Sequence, residues 1–269
     1  MASIPADWTK AAVAITPGFE VNGDPYQGVS GDFDGMGISC GALQWNIGSN
    51  SLQPMVRAVG QHHVLAAMPN LGAQMWKASN STIRLGLEIV RSWQTGSRLR
   101  APARAELRAL MGSAPMRAEQ DKYIGKVAQV AYLSADCWAK SAGKSGPSKR
   151  AFCWFFDLTT QNGSLEGVGF GDVEAFVGAN TPERADDVVC DYLAGLSGRG
   201  GHVSDARSNA GLWRNKAAAE QLELLILTYL RSRTSNPRWR HVVINRKGAI
   251  AMGRGRVNSS LRDFSRYGL

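Results

Sequence analysis

Long apolar runs are missing from this chain. No stretch of about eighteen apolar residues occurs, so no membrane-spanning helix is expected. The start, Met1-Ala2-Ser3-Ile4-Pro5-Ala6-Asp7, lacks the basic residues and apolar core of a Sec signal, so none is expected. Cysteine is scarce: Cys40, Cys137, Cys153 and Cys190 stand apart, with no C-x-x-C pair and no zinc spacing to His62 or His63. They read as small buried hydrophobes; a disulfide would need an oxidising compartment, and spacing alone pairs none of them. A phosphate loop is absent as well. Gly143-Lys144-Ser145 has Trp138 where the earlier glycine would stand. The histidines accompany no recognisable nucleophile elbow, which argues against a hydrolase triad. No metal and no cofactor are expected. There is neither an internal repeat nor a low-complexity linker.

What is present is positive charge. The formal net charge is +9. It concentrates late, where Arg238, Arg240, Arg246, Lys247, Arg254, Arg256, Arg262 and Arg266 face only Asp263. A basic surface attracts polyanions in general. Trp239, Phe264 and Tyr267 interleave too thinly for a base-stacking surface, and no nucleic-acid motif is visible, so nucleic acid is not expected as the partner. The anionic bacterial envelope is the other polyanion that this charge suits, with Arg238, Arg240, Arg246, Lys247, Arg254 and Arg256 as docking residues; the alternative is that several of them pair with core acids and hold the fold.

Apolar periodicity predicts a mainly α (α+β) fold. Helices are expected over about 7–18, from Pro54 onward, over 82–93, 103–111 and 117–140, and near 182–196 and 213–233. Pro54 suits a first helical turn. Ala142–Ser148 is a clear break. After it, Ala151-Phe152-Cys153-Trp154-Phe155-Phe156 is apolar all round, as a central buried helix is. Residues 163–178 and the glycine-rich 198–201 read as loops, and His241-Val242-Val243-Ile244 stays open between helix and strand. At 269 residues the chain is expected to form a single domain, 1–269, of two lobes with a cleft between them. A small β hairpin belongs to it.

The chemistry concentrates between Phe19-Glu20 and Leu43-Gln44-Trp45-Asn46. Glu20 follows the apolar helical run Ala11–Ile15, and Asp34 sits among Gly31, Gly35 and Gly37. One carboxyl therefore comes from a helix end and the other from a hairpin turn. Two carboxyls in unlike environments are what glycoside hydrolysis uses: one stays protonated and donates to the leaving oxygen, the other stays ionised. The plainer readings are a solvated glutamate and a turn-forming aspartate. Asp32, two residues away, competes with Asp34, and only one of the two is expected to face the cleft. A calcium loop fails, because the frame ending at Gly35 starts at Ser30 and closes on Gly41 without a bidentate glutamate.

Phe19-Glu20, Tyr26, Phe33-Asp34-Gly35, Gly37-Ile38-Ser39 and Gly41-Ala42-Leu43-Gln44-Trp45-Asn46 match, in order, a motif of the chitosanase-like, lysozyme-fold hydrolases. The segment resembles glycoside hydrolase family 46 and, more closely, the muramidase domains of type VI secretion effectors and phage-type lysins. Asp32 stands for the usual Asn and Met36 for the usual Gln or Arg. The resemblance implies a lysozyme-like fold and cleavage of peptidoglycan glycan strands, with Glu20 as general acid and Asp34, the aspartate before Gly35, as general base. Ser39 is the counterpart of a hydroxyl that holds the attacking water; otherwise it is a strand serine satisfied by backbone. Tyr26, Gln44, Trp45 and Asn46 become substrate-binding candidates, Trp45 having core packing as its alternative. Gln161 and Asn162 either reach substrate or cap a helix. Asp157, amid an apolar helix, reads as a structural acid in need of a partner. Chitosan is the alternative substrate, and an inactive wall-binding module the alternative of another class. The likeness further implies a monomer, made in the cytoplasm and acting on the wall of a target cell or at lysis. It implies a secretion-apparatus carrier and an immunity protein as partners.

Overall fold

The computed structural model describes residues 3–19, 23–198 and 200–269, all with side chains except Glu183. Glu20 lies outside the described residues. In the first half of the chain come α1 (Ala6–Ile15), β1 (Val29–Ser30), β2 (Ser39–Cys40), β3 (Trp45–Asn46), α2 (Gln53–Val59), α3 (Gln61–Ala67), α4 (Gly72–Ser79), α5 (Ile83–Arg91), β4 (Gln94–Thr95), β5 (Arg98–Leu99) and α6 (Ala101–Gly112). The second half holds α7 (Ala114–Ser141), α8 (Lys149–Gln161), α9 (Phe170–Asn180), α10 (Pro182–Gly195), α11 (Gly201–Trp213), α12 (Ala219–Thr234), α13 (Arg240–Met252), β6 (Arg254–Val257) and β7 (Ser260–Asp263). The protein is therefore mainly helical. No helix among the described residues is long and apolar enough to cross a membrane. The chain divides into two compact units: Met1–Phe19 with Val127–Leu269, and Glu20–Lys126.

The larger unit is built on α8. Every side chain from Ala151 to Leu158 is buried, as the all-round apolar run predicts. Helices α1 and α13 pack against α8, and Trp154 Nε1 donates to Thr228 Oγ1 of α12 at 2.9 Å. Burying each such aromatic contributes about 1.5–3 kcal/mol over leaving it in water. Trp213 packs where two glycines make room. A Cβ on Gly248 would come within 2.4 Å of its ring and one on Gly255 within 2.9 Å.

Three stretches differ from the sequence reading. Residues 163–178 are not all loop: α9 begins at Phe170, its first turn capped by Asp172, whose carboxylate accepts the Gly169 N–H at 2.7 Å. Gly169, Gly171 and Gly178 interrupt the apolar spacing that would have revealed it. The expected helix over 213–233 is the end of α11 followed by α12, parted at Arg214–Ala218. His241–Ile244 belongs to α13, which is buried on all sides from Val243 to Met252 and so shows no one-sided pattern.

In the smaller unit, α4 takes its N-terminal cap from a distant acid. The Glu106 carboxylate of α6 accepts the N–H of Leu71 at 2.9 Å and the side-chain amide of Asn70 at 2.6 Å. Strands β1, β2 and β3 form an antiparallel sheet in that order. Each strand is two residues long, so the sheet carries little ladder energy of its own.

Candidate functional site

The register of this sheet sorts its residues. Val29, Cys40 and Trp45 are cross-strand partners, as are Ser30, Ser39 and Asn46. Directly opposed residues share a face, so one face is apolar and the other polar. On the apolar face Cys40 is fully buried and Trp45 is 7% exposed, its ring edge-on to Tyr123 at 6.2 Å. Trp45 is thus a core residue. Of its two readings, core packing and substrate binding, the burial favours the first. Burial pushes the Cys40 thiol up to about 12.

On the polar face Ser39 is nearly buried, and its hydroxyl has no hydrogen-bond partner among the described residues. Ser30 Oγ donates to Gln44 Oε1 at 3.3 Å, and Gln44 Nε2 donates to Gly41 O at 3.2 Å. Gln44 takes φ 57°, a left-handed conformation rare outside glycine. Its side chain therefore braces the β2–β3 turn. Asn46 Oδ1 accepts the Ser49 N–H at 2.8 Å and closes the next turn. Both amides are engaged locally. Tyr26 is engaged too. Its hydroxyl donates to Asp121 of α7, and the Arg117 guanidinium lies 4.9 Å from its ring centre. Burial, reinforced by Asp121, pushes the Tyr26 phenol up to about 12.

Asp34 sits in the bend between β1 and β2. The segment from Asp32 to Gly37 is bent, not extended, and its hydrogen bonds separate the two acids. Asp32 is bound at both carboxylate oxygens: Oδ1 accepts the Gly37 N–H at 2.8 Å and Oδ2 accepts Arg91 Nε at 2.6 Å. Partial burial pushes the Asp32 carboxyl up, but the Gly37 N–H and Arg91 outweigh it and hold it below the ordinary range. Asp34 is exposed, and the Met36 N–H on its Oδ1, at 3.1 Å, is its hydrogen bond among the described residues. Phe33 and Met36 flank it, 66% and 39% exposed.

Gln161 and Asn162 belong to the larger unit. Gln161 is exposed at the end of α8, and the Asn162 N–H caps that helix on Leu158 O at 2.8 Å. One turn earlier Asp157 is fully buried and accepts Arg246 at 2.8 Å and Lys247 at 2.9 Å. Burial pushes its carboxyl up, yet the two cations overcome this and hold it at about 2. Arg246 and Lys247 are therefore interior residues paired with a core acid, which removes them from the envelope-docking set. Arg246 also donates to Thr16 O at 3.1 Å and lies 4.6 Å from the Phe19 ring centre. Asn258 donates to Phe19 O at 2.7 Å, and Phe264 meets the Phe19 ring edge-on. Arg246, Asn258 and Phe264 thus hold the chain up to the residue that precedes Glu20 in sequence.

Of the other arginines, Arg254 and Arg256 are exposed on alternate positions of β6, with Gly255 and Val257 turned inward. Cys153 and Cys190 are buried and Cys137 is exposed; all four cysteines are free. Among the described residues no three His, Cys, Asp or Glu side chains converge as metal ligands do. The side chains that hold the Asp34 loop, Arg91 and Gln94, carry no sequence signal, because they lie about sixty residues from it. No family model, no curated protein and no solved structure matches this chain.

Proposed function

We propose that the chain is a lysozyme-like glycoside hydrolase that cleaves the peptidoglycan glycan strand as an N-acetylmuramidase. Asp34 is its general base, Glu20 its general acid, and the anomeric centre inverts. The observation that carries this reading is the contrast within one loop: Asp32 is consumed by Arg91 and Gly37, while Asp34 projects to solvent between two exposed apolar side chains. An ionised, accessible carboxylate is what a general base needs. Ser39, nearly buried with an uncommitted hydroxyl, is the residue suited to hold the water.

In the step itself the water oxygen attacks the anomeric carbon while Asp34 takes one of its protons. The glycosidic C–O bond breaks, and Glu20 protonates the departing oxygen. Asp34 ends protonated and Glu20 ionised, and exchange with solvent resets both. A base acting through one water places the carboxyls about 6.5–9.5 Å apart, against about 5–5.5 Å for a nucleophile.

The test is digestion of purified peptidoglycan with mass analysis of the fragments, alongside the Glu20→Gln and Asp34→Asn variants. Fragments ending in a reducing N-acetylmuramic acid, released by the wild type and by neither variant, are the expected result. Proton NMR of the first product shows the α-anomer if the mechanism inverts, since the links cut are β. Release of glucosamine oligomers from chitosan instead would transfer the reading to a chitosanase, a substrate that the net charge of +9 disfavours because chitosan is itself a polycation. Binding to wall without release of fragments would make the chain a wall-binding module.

A further inference from the structure

The loop that carries Asp34 is closed by side chains from another element. Gln94, at the start of β4, accepts the Asp32 N–H on its Oε1 at 2.9 Å and donates its Nε2 to Gly37 O at 2.8 Å. One amide thus bridges the first and last residues of the bend. The Asp32 carboxylate closes the same neck a second time through the Gly37 N–H. Arg91, the last residue of α5, binds the neck and the tip together, with Nε on Asp32 at 2.6 Å and an Nη on Gly35 O at 3.0 Å.

The packing matches. A Cβ on Gly31 would lie 2.1 Å from Ser97 O, and one on Gly37 would lie 2.7 Å from the Leu87 side chain and 2.9 Å from that of Val90. Both ends of the bend are therefore pressed against α5 and the β4–β5 turn by glycines that leave no gap. The tip, Phe33 to Met36, is exposed; Arg91 holds it at Gly35 O, and Met36 O accepts the Gly48 N–H at 3.0 Å, where a Cβ on Gly48 would lie 2.9 Å from Met36 Cα.

We propose that Arg91 and Gln94 are positioning residues for Asp34, fixing the loop so that its carboxylate stands at one height and angle before substrate arrives. Asp32, at the position where the resembled motif has Asn, serves the same clamp as the anion that Arg91 grips. An amide there would keep the Gly37 hydrogen bond but lose the ion pair. The clamp touches no reacting atom. It acts on turnover because a base misplaced by about 1 Å can lose about a hundredfold in rate. The inference rests on the hydrolase reading of the same loop.

The experiment is steady-state hydrolysis of purified peptidoglycan by the full chain and by Gln94→Leu, Arg91→Met, Arg91→Lys and Asp32→Asn, with melting temperatures for each. Expected is a fall in kcat of about tenfold or more for Gln94→Leu and Arg91→Met with KM within about twofold, since positioning acts on the chemical step. Arg91→Lys recovers part of the loss by keeping the charge without the fork, and Asp32→Asn loses least. A fall in kcat that merely tracks the melting temperature, or a kcat within twofold of wild type for both Gln94→Leu and Arg91→Met while Asp34→Asn is dead, would overturn the positioning role alone. A wild-type chain that cleaves no glycan would overturn the hydrolase reading and the positioning role together.

Discussion

The dipeptide Phe-Asp occurs at Phe33-Asp34 and again at Phe156-Asp157, and the two copies have opposite fates. Phe33 is 66% exposed and Asp34 reaches solvent, whereas Phe156 and Asp157 are both fully buried. The tip of the glycine-framed bend is exposed, so its acid stays hydrated and keeps lone pairs for a ligand. A helix that is apolar all round buries whatever it carries, so its acid must be paired. Asp157 has two cations and Asp34 has none among the described residues. The same residue pair is thus a paired interior acid in one place and an exposed acid, the proposed general base, in the other.

The sharpest way to break that comparison is to neutralise both acids. Asp157→Asn is expected to cost about 3–5 kcal/mol of stability, because it strands two interior cations. Urea unfolding measures it. Asp34→Asn is expected to lower turnover by about 10²–10⁴-fold without moving the urea midpoint. The contrast fails if Asp157→Asn keeps wild-type stability while abolishing turnover.

The phenylalanines give the next test. Phe156→Ala should cost about 3–5 kcal/mol through the cavity that it opens in the core. Phe33→Ala should leave the melting temperature within error, and its effect should appear in substrate affinity.

Acid unfolding sharpens the comparison through its sign. The Asp157 carboxyl sits at about 2 in the folded chain against 3.8 ordinarily, so the unfolded state binds the proton more readily. The stabilisation is fully present above the ordinary value and is lost as pH falls through the folded one. Stability measured between pH 4 and 2 should fall in the wild type and flatten in Asp157→Asn.

The smallest effect is expected at the surface. Arg254→Glu with Arg256→Glu should weaken binding to purified cell wall at low salt, the difference vanishing as salt screens charges beyond about 8 Å. The melting temperature should stay put, because both side chains are exposed. A lowered melting temperature would instead assign them to the fold, where Arg246 already belongs.

The helical class was legible in the spacing of apolar residues, and α8 was legible in its unbroken run from Ala151 to Phe156. Helix α9 was hidden by three glycines. Helix α13 was hidden because a helix buried on every side has no polar face to set its period. The candidate loop was legible through Gly31, Gly35 and Gly37. The tasks of Tyr26, Gln44 and Asn46 were not, since a tyrosine or an amide bonds a sugar or a turn with equal ease. Asp121, Gly41 and Ser49 were the partners present.

By itself the sequence determined where the backbone bends and which stretches are apolar enough to be interior. Both are properties of neighbouring residues: Gly35 and Gly37 take φ of 87° and 88°, which side chains resist, and Ala151–Phe156 is apolar at every position. Only the tertiary structure decided which aspartates are paired. Arg91 comes to Asp32 from 59 residues away, and Arg246 and Lys247 reach Asp157 from 89 and 90. Asp34, two residues from Asp32, receives no cation among the described residues. A charge interacts through space over a few ångströms, so its partner is set by how the chain folds back and not by its neighbours in sequence.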